Sequence, residues 1–216
     1  MELDDSTLTE TGFETPGGGR VLLIACGALA REVLALKALN GWGHLDLACL
    51  PALLHNRPEQ ISERVQTKIH DAKQEGYRRI FVLYADCGTG GMLDKVCAEE
   101  DVERIYGPHC YSFFSGNQSF ANISDDGTDI TSFYLTDFLA RQFDALVWRG
   151  MGLDRYPDLR DMYFAHYEKV VYLAQTDDPA LDAKAQEAAS RLGLAYERRF
   201  TGYGDLATTL ATVASG

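Results

Sequence analysis

The chain has few basic residues relative to its acidic ones. Its 216 residues contain 20 Lys and Arg against 32 Asp and Glu, which gives a formal net charge of −12 at pH 7. Proteins that bind nucleic acids need a basic surface to neutralise phosphates, and basic clusters also bind anionic membrane surfaces. We therefore expect no nucleic acid and no membrane among the partners of this protein.

Long apolar runs are missing as well. No stretch reaches the roughly 18–20 apolar residues that a membrane-spanning helix needs. The start, MELDDSTLTETGFETPGGGR, lacks the basic and apolar segments of a signal peptide. We interpret residues 1–19 as a flexible leader and expect a cytoplasmic protein. In a reducing cytosol, the five cysteines are expected to be thiols or metal ligands rather than disulfides.

Several well-known motifs are also absent. The glycine-rich stretch YADCGTGGML follows an apolar run but has neither G-x-G-x-x-G spacing nor a G-K-[ST] ending. There is no D-x-H-x-x-G cobalamin signature, no H-E-x-x-H helix and no G-x-S-x-G turn. The sequence therefore offers no standard nucleotide, cobalamin, metalloprotease or hydrolase site.

Short apolar runs alternate with amphipathic segments along most of the chain. This alternation predicts right-handed βαβ crossovers, and hence an α/β fold with a mostly parallel, doubly wound, Rossmann-like sheet covered by helices on both faces. We expect a single domain over residues 20–216, with possible lobes at 20–120 and 121–216. The predicted strands are Val21–Ala25, Leu45–Leu50, Ile80–Ala85, Val102–Tyr106, Ser132–Leu135, Val170–Ala174 and Ala195–Phe200.

Three cysteines follow predicted strands. Cys26 ends the first strand, Cys87 the third, and Cys110 comes after the fourth. Ligands of open α/β sheets bind outside the carboxyl ends of the strands, so these thiols are expected to meet at one edge. Three thiolates with an open position suit a catalytic zinc and equally a [4Fe–4S] cluster. His55, in the loop after the second strand, is a candidate fourth ligand.

Other interpretations of the cysteines stay open. Cys87 could instead be a nucleophile at a helix N-terminus, with His55 or His109 as its base. Cys49 and Cys97 lie inside a predicted strand and a predicted helix. We expect these two to be core thiols, because cysteine is among the most buried residue types.

Four further residues are candidates for the site. Gly88 and Gly90 belong to the loop after Cys87, where small residues let backbone N–H groups approach a cofactor. Asp86 could act in catalysis by orienting a ligand, or it could cap the following helix. Tyr134 could line the cleft as a catalytic residue, or it could be a packing residue of its strand.

Five segments occur in an order that resembles an uncharacterised family found in methanogens and bacteria. They are IACGALAREV, LLHNRPEQI, FVLYADCGTGGMLD, GPHCYSFFSG and SFYLTDFL, and the resemblance extends from about Val21 to Asp205. It implies that Cys26, Cys87 and Cys110 are motif cysteines, with His55, Gly88 and Gly90 beside them. Genes of that family often lie near those of trimethylamine-type methyltransferases, corrinoid proteins and folate-linked enzymes.

The resemblance implies a function in corrinoid- and folate-linked one-carbon metabolism. A metal-dependent, methyltransferase-like enzyme could activate a thiol as a methyl acceptor, because a metal-bound thiol is deprotonated. The alternative is a non-catalytic accessory or metal- or cluster-carrying protein that docks on a corrinoid methyltransferase system. The expected partner is accordingly a small molecule or a corrinoid protein, with any corrinoid supplied by that partner. If His55 occupied the fourth coordination position of the metal, the site would be saturated, which would favour the non-catalytic alternative.

Overall fold

The computed structural model describes residues 3–15, 17–18, 20–125 and 130–216. The helices of these residues are α1 (Asp5–Glu10), α2 (Ala30–Asn40), α3 (Ile61–Gln74), α4 (Met92–Glu99), α5 (Ser112–Ser115), α6 (Asn117–Asp125), α7 (Asp137–Arg141), α8 (Asp158–Tyr163), α9 (Pro179–Leu192) and α10 (Gly204–Ser215). The strands are β1 (Phe13–Glu14), β2 (Val21–Cys26), β3 (Leu45–Leu50), β4 (Arg79–Leu83), β5 (Glu103–Arg104), β6 (Ser132–Thr136), β7 (Lys169–Ala174) and β8 (Ala195–Phe200).

The chain divides into two compact units. Unit 1 comprises Met1–Cys110 and Leu206–Gly216, and unit 2 comprises Tyr111–Asp205. The predicted α/β class with mostly parallel strands is confirmed, but the strands form two sheets instead of one. The units also differ from the predicted lobes 20–120 and 121–216, because the C-terminal helix belongs with unit 1.

The sheet of unit 1 has the order β1-β3-β2-β4-β5. The pairs β2–β3, β2–β4 and β4–β5 are parallel, and only β1 runs antiparallel, against β3. All six residues of β2 are buried, as expected for a central strand of a parallel sheet covered on both faces. Helix α2 ends at Gly41, whose φ of 66° provides the left-handed turn that commonly closes a helix.

The predicted flexible leader folds wherever the structure describes it. Residues 1, 2, 16 and 19 lie outside the described residues. In α1, Leu8 is fully buried, and the Asp4 carboxylate caps the helix by accepting a hydrogen bond from the Thr7 N–H. Strand β1 then pairs with β3 through Phe13 and Cys49. The polar composition hid this structure, because one buried leucine and one short strand give little apolar periodicity.

Unit 2 is built on a three-stranded parallel sheet of order β6-β7-β8. Strand β7 is the central one, and its Val170–Ala174 segment is buried. Helix α9 packs against the sheet, starting after the Asp178 side chain, which accepts a hydrogen bond from Ala180 N–H, and ending at Gly193. Helix α6 lies between the start of this unit and β6, and residues 126–129 lie outside the described residues.

No helix in the described ranges is both long and apolar enough to cross a membrane.

Candidate functional site

The carboxyl ends of β2 and β4 form the switch point of the unit 1 sheet. The two strands are adjacent, yet the chain leaves β2 toward β3 on one side and leaves β4 toward β5 on the other. In open parallel sheets, such a point opens a crevice in which ligands bind. Cys26 is the last residue of β2, and Cys87 lies in the loop that follows β4. Two of the predicted cysteines therefore lie at this switch point.

The loop after β4 is joined to the segment after β5 by backbone hydrogen bonds. Asp86 N–H donates to the Gly107 carbonyl and Cys87 N–H to the Pro108 carbonyl, each at 2.9 Å. This pairing continues the β4–β5 ladder beyond the sheet and brings Cys110 alongside. The Sγ atoms of Cys87 and Cys110 lie 3.2 Å apart, in hydrogen-bond contact.

Cys87 has an unusual backbone conformation. Its φ is 48°, in the left-handed region that side chains other than Gly, Asn and Asp seldom adopt. The next residues with positive φ are Gly88 at 87°, Gly90 at 62° and Gly91 at 82°. A strained residue persists only where its surroundings hold it, and such residues cluster at functional sites. The surroundings of Cys87 therefore hold this residue in a backbone conformation that it would seldom adopt by itself.

The two thiols in contact differ in acidity. The hydrogen bond from the Cys110 thiol lowers the pKa of Cys87, and this effect outweighs the opposing effect of burial. The same contact, followed by burial, raises the pKa of Cys110 well above its ordinary value. Cys87 is therefore the first of the pair to become a thiolate, with the Cys110 S–H as its donor. Cys26 is more deeply buried, and burial raises its pKa to about 12.

The sulfur geometry allows a comparison of the two predicted cofactors. Two thiolates on one zinc ion, with Zn–S bonds of about 2.3 Å and a tetrahedral angle, have sulfurs about 3.8 Å apart. In a [4Fe–4S] cluster, each cysteine binds a different iron, so its sulfurs lie further apart than two that share an ion. The 3.2 Å pair of Cys87 and Cys110 is closer to the first arrangement.

The third cysteine is near this pair without completing a site. Cys26 is close enough to Cys87 for a charge on one to affect the pKa of the other. Within the described ranges, however, no group of three or more His, Cys, Asp or Glu side chains is arranged to hold a metal ion. For all three sulfurs to bind one ion, Cys26 and the Cys87–Cys110 pair would have to move closer to each other.

A family model described as "Protein of unknown function (DUF1638)" matches residues 49–210. The chain belongs to this family. The resemblance seen in the sequence motifs to an uncharacterised family is thus confirmed. The matched segment includes Cys87, Cys110 and His55, while Cys26 precedes it. No curated protein and no solved structure matches the chain.

His55 lies within the DUF1638 segment, near the loop that carries Cys110. It belongs to a 3-10 turn, Ala52–Asn56, and is exposed. Partial desolvation lowers the pKa of His55, and the neighbouring His109 lowers it further. Among the described residues, no hydrogen bond joins His55 to a cysteine. Its role as a fourth ligand or base stays a prediction.

The Asp86 carboxylate organises the loop YADCGTGGML, which lies within the segment that the DUF1638 model matches. Its Oδ1 accepts hydrogen bonds from Thr89 Oγ1 at 2.7 Å and Gly91 N at 2.8 Å, and its Oδ2 accepts one from Gly90 N at 3.2 Å. This is the pattern expected of the turn and capping alternative. Gly88 and Gly90 provide left-handed turns. Catalysis by Asp86 and cofactor binding by the two glycines stay predictions.

Tyr134 belongs to unit 2, whereas the cysteines of the site belong to unit 1. It stacks on Tyr111 with ring centroids 5.1 Å apart and meets Phe120 edge-on at 5.8 Å. These contacts are those of the packing alternative, and the catalytic assignment stays a prediction. Cys49 and Cys97 are 5% and 4% exposed, as expected for core thiols.

One residue at the switch point was missed by sequence reasoning. Tyr84 follows β4 directly, is fully buried, and lies beside Cys26. A tyrosine at the end of an apolar run is an ordinary packing residue by type. Only its position, opposite the strand that ends in Cys26, could have distinguished it.

Proposed function

We propose that this protein binds a single metal ion, with zinc as the best fit, through the thiolates of Cys26, Cys87 and Cys110. The observation that carries the proposal is the Cys87–Cys110 contact of 3.2 Å at the switch point of a parallel sheet. The Cys87 and Cys110 sulfurs could bind one zinc ion if the distance between them rose from 3.2 Å to about 3.8 Å. The left-handed φ of 48° at Cys87 also supports a functional thiol there. Five free cysteines suit a reducing cytoplasm.

We propose methyl transfer of corrinoid- and folate-linked one-carbon metabolism as the chemistry, on the strength of the motif resemblance. A zinc ion with an open position would supply Lewis-acid activation of a bound thiol or other acceptor. The residues of the chain would hold this ion: the contact with Cys110 lowers the pKa of Cys87, and metal binding would displace the protons of Cys26 and Cys110. The loop that Asp86 organises would keep the Cys87 sulfur at the crevice.

The alternative is a non-catalytic protein whose metal has all four coordination positions filled by the protein. Such a protein would carry a metal or cluster, or dock on a corrinoid methyltransferase system. The proximity of His55 to His109, and through it to Cys110, keeps this alternative open. The variant His55→Ala distinguishes the two. If His55 closes the fourth position, the variant loses zinc affinity. If the position is open, the variant binds zinc as the parent does.

The deciding experiment is metal and acid-labile sulfide content, with an absorption spectrum, on protein purified without oxygen. We expect zinc without sulfide or visible absorption. Cys26→Ser, Cys87→Ser and Cys110→Ser are each expected to lose the metal. Cys49→Ser and Cys97→Ser are the matched controls, because they change buried thiols outside the site.

Equal metal content in all five variants would contradict the assignment. If the protein contains iron and acid-labile sulfide, the cofactor is an iron–sulfur cluster and not a single metal ion. A folded, metal-free protein in which Cys87 alone reacts with iodoacetamide would support the nucleophile alternative, since Cys87 is partly exposed and has the lowered pKa.

A further inference from the structure

Two of the five cysteines differ from the others in exposure and in contact. Cys87 and Cys110 are partly exposed, whereas the other three are buried. The Sγ atoms of Cys87 and Cys110 lie 3.2 Å apart. A disulfide bond joins its sulfurs at about 2.05 Å, so the two atoms need to approach by only about 1.2 Å to form one. A small reagent in solution can reach this pair, while burial protects the other thiols.

The backbone holds these two thiols together. Cys87 N–H donates to the Pro108 carbonyl at 2.9 Å, which fixes the loop after β4 against the segment that carries Cys110. The Asp86 carboxylate fixes the same loop from within, by accepting a hydrogen bond from Gly91 N–H at 2.8 Å. Two groups that a fold holds in contact react with each other far faster than the same groups do when free in solution. The fold therefore favours a bond between Cys87 and Cys110.

We propose that Cys87 and Cys110 form a thiol–disulfide exchange site that reacts with low-molecular-weight disulfides of the glutathione class. This inference goes beyond the proposed function and needs no metal. The thiolate of one cysteine attacks the small disulfide, forms a mixed disulfide and releases one small thiolate. The second cysteine attacks the protein sulfur of the mixed disulfide and releases the other. Both cysteine protons end on the two small thiols, so two electrons pass from the protein to the small disulfide.

The exposure of the pair makes this bond reversible. Exposed disulfides are reduced more easily than buried structural ones, and both cysteines are partly exposed. Disulfides of reducing compartments are usually transient and serve catalysis or redox sensing. A cysteine binds a metal as its thiolate, so the oxidised pair would have no thiolates to offer the ion of the proposed function. Oxidation and metal binding at this pair therefore exclude each other.

Oxidation of the full chain tests the exchange site. Protein purified without oxygen would be incubated with oxidised glutathione in chelator-containing buffer, and its free thiols would be counted with a maleimide after an acid quench. We expect two of the five thiols to be lost and dithiothreitol to restore them. Each cysteine lies in a different tryptic peptide, so mass spectrometry identifies the linkage. The expected linkage joins the peptide of residues 80–95 to that of residues 105–141.

Cysteine variants provide the controls. Cys87→Ser and Cys110→Ser are each expected to lose the linkage. Cys49→Ser and Cys97→Ser change buried thiols and are expected to keep it. Three results would overturn the exchange site: five thiols that survive the oxidant, a linkage that involves another cysteine, or a stable glutathione adduct on Cys87 without a linkage.

The two proposals fail in different ways. Cys26→Ser is expected to lose the metal but to keep the linkage between Cys87 and Cys110. A parent that binds no Zn²⁺ but forms this linkage overturns the metal site and supports the exchange site. A parent that binds Zn²⁺ but forms no linkage after the chelator has removed the ion overturns the exchange site alone.

Discussion

Cys87→Gly is expected to stabilise the metal-free protein relative to Cys87→Ala. Both variants remove the thiol and its 3.2 Å contact with Cys110, so their difference isolates the backbone at φ 48°. A left-handed conformation costs a residue with a Cβ roughly 1–2 kcal/mol. Glycine avoids this cost but loses roughly 0.5–1 kcal/mol more in conformational entropy on folding. The Gly variant is therefore expected to be more stable by about 0.5–1 kcal/mol.

Urea unfolding in reducing, chelator-containing buffer measures this difference. The chain has two tryptophans, Trp42 in unit 1 and Trp148 in unit 2, so a Trp148→Phe background leaves Trp42 as the reporter of unit 1. Gly90→Ala is the reciprocal control. The φ of Gly90 is 62°, and a Cβ there would meet no described atom within 4 Å, so a loss of similar size is expected. An Ala variant at position 87 that matches or exceeds the Gly variant would refute the assignment of strain.

Two further predictions concern unit 1. Hydrogen bonds from Lys73, Gln66 and His70 lower the pKa of Glu100 to about 2, so its carboxylate stabilises the fold above its usual pKa of 4.5, and this stabilisation is lost as pH falls from 4.5 toward 2. The stability difference between parent and Glu100→Gln should therefore shrink over that range in acid titrations of urea unfolding, and a constant difference would contradict this. Leu8→Ala is expected to cost about 2–5 kcal/mol, because Leu8 is fully buried. Leu39→Ala, at a site 79% exposed, is the control. Equal effects of the two substitutions would mean that α1 does not pack against the rest of unit 1.

Some elements could be predicted because the sequence marks clearly where they or their neighbours begin and end. Strand β8 has the predicted bounds, Ala195–Phe200, because Asp178 and Gly193 mark the ends of the preceding helix. Strand β5 is only Glu103–Arg104, shorter than the predicted Val102–Tyr106, and the chain beyond it pairs with the Cys87 loop instead. Helix α10 was not predicted, since its Ala- and Thr-rich sequence has few strong start or stop signals.

Part of the candidate site could also be read from the sequence. The cysteines were expected at one sheet edge because they follow parallel strands, and the contact of Cys87 with Cys110 agrees with that expectation. The left-handed φ of Cys87 had no sequence signal, because a cysteine does not prefer that conformation. The sequence suggested two lobes, but the return of Leu206–Gly216 to unit 1 had no sequence signal, since it depends on long-range packing. The division into units separates Tyr134 from the cysteines.

The interrupted course of unit 1 has a consequence for biosynthesis. Unit 2 is one continuous segment, Tyr111–Asp205, whereas unit 1 also contains Leu206–Gly216. Leu206, Leu210 and Val213 of that last segment are buried. A ribosome releases residues in order, and compact units fold as they emerge. Unit 2 can therefore complete its fold before unit 1 does, so the cysteine-bearing unit is completed after unit 2, once Leu206–Gly216 is free to pack.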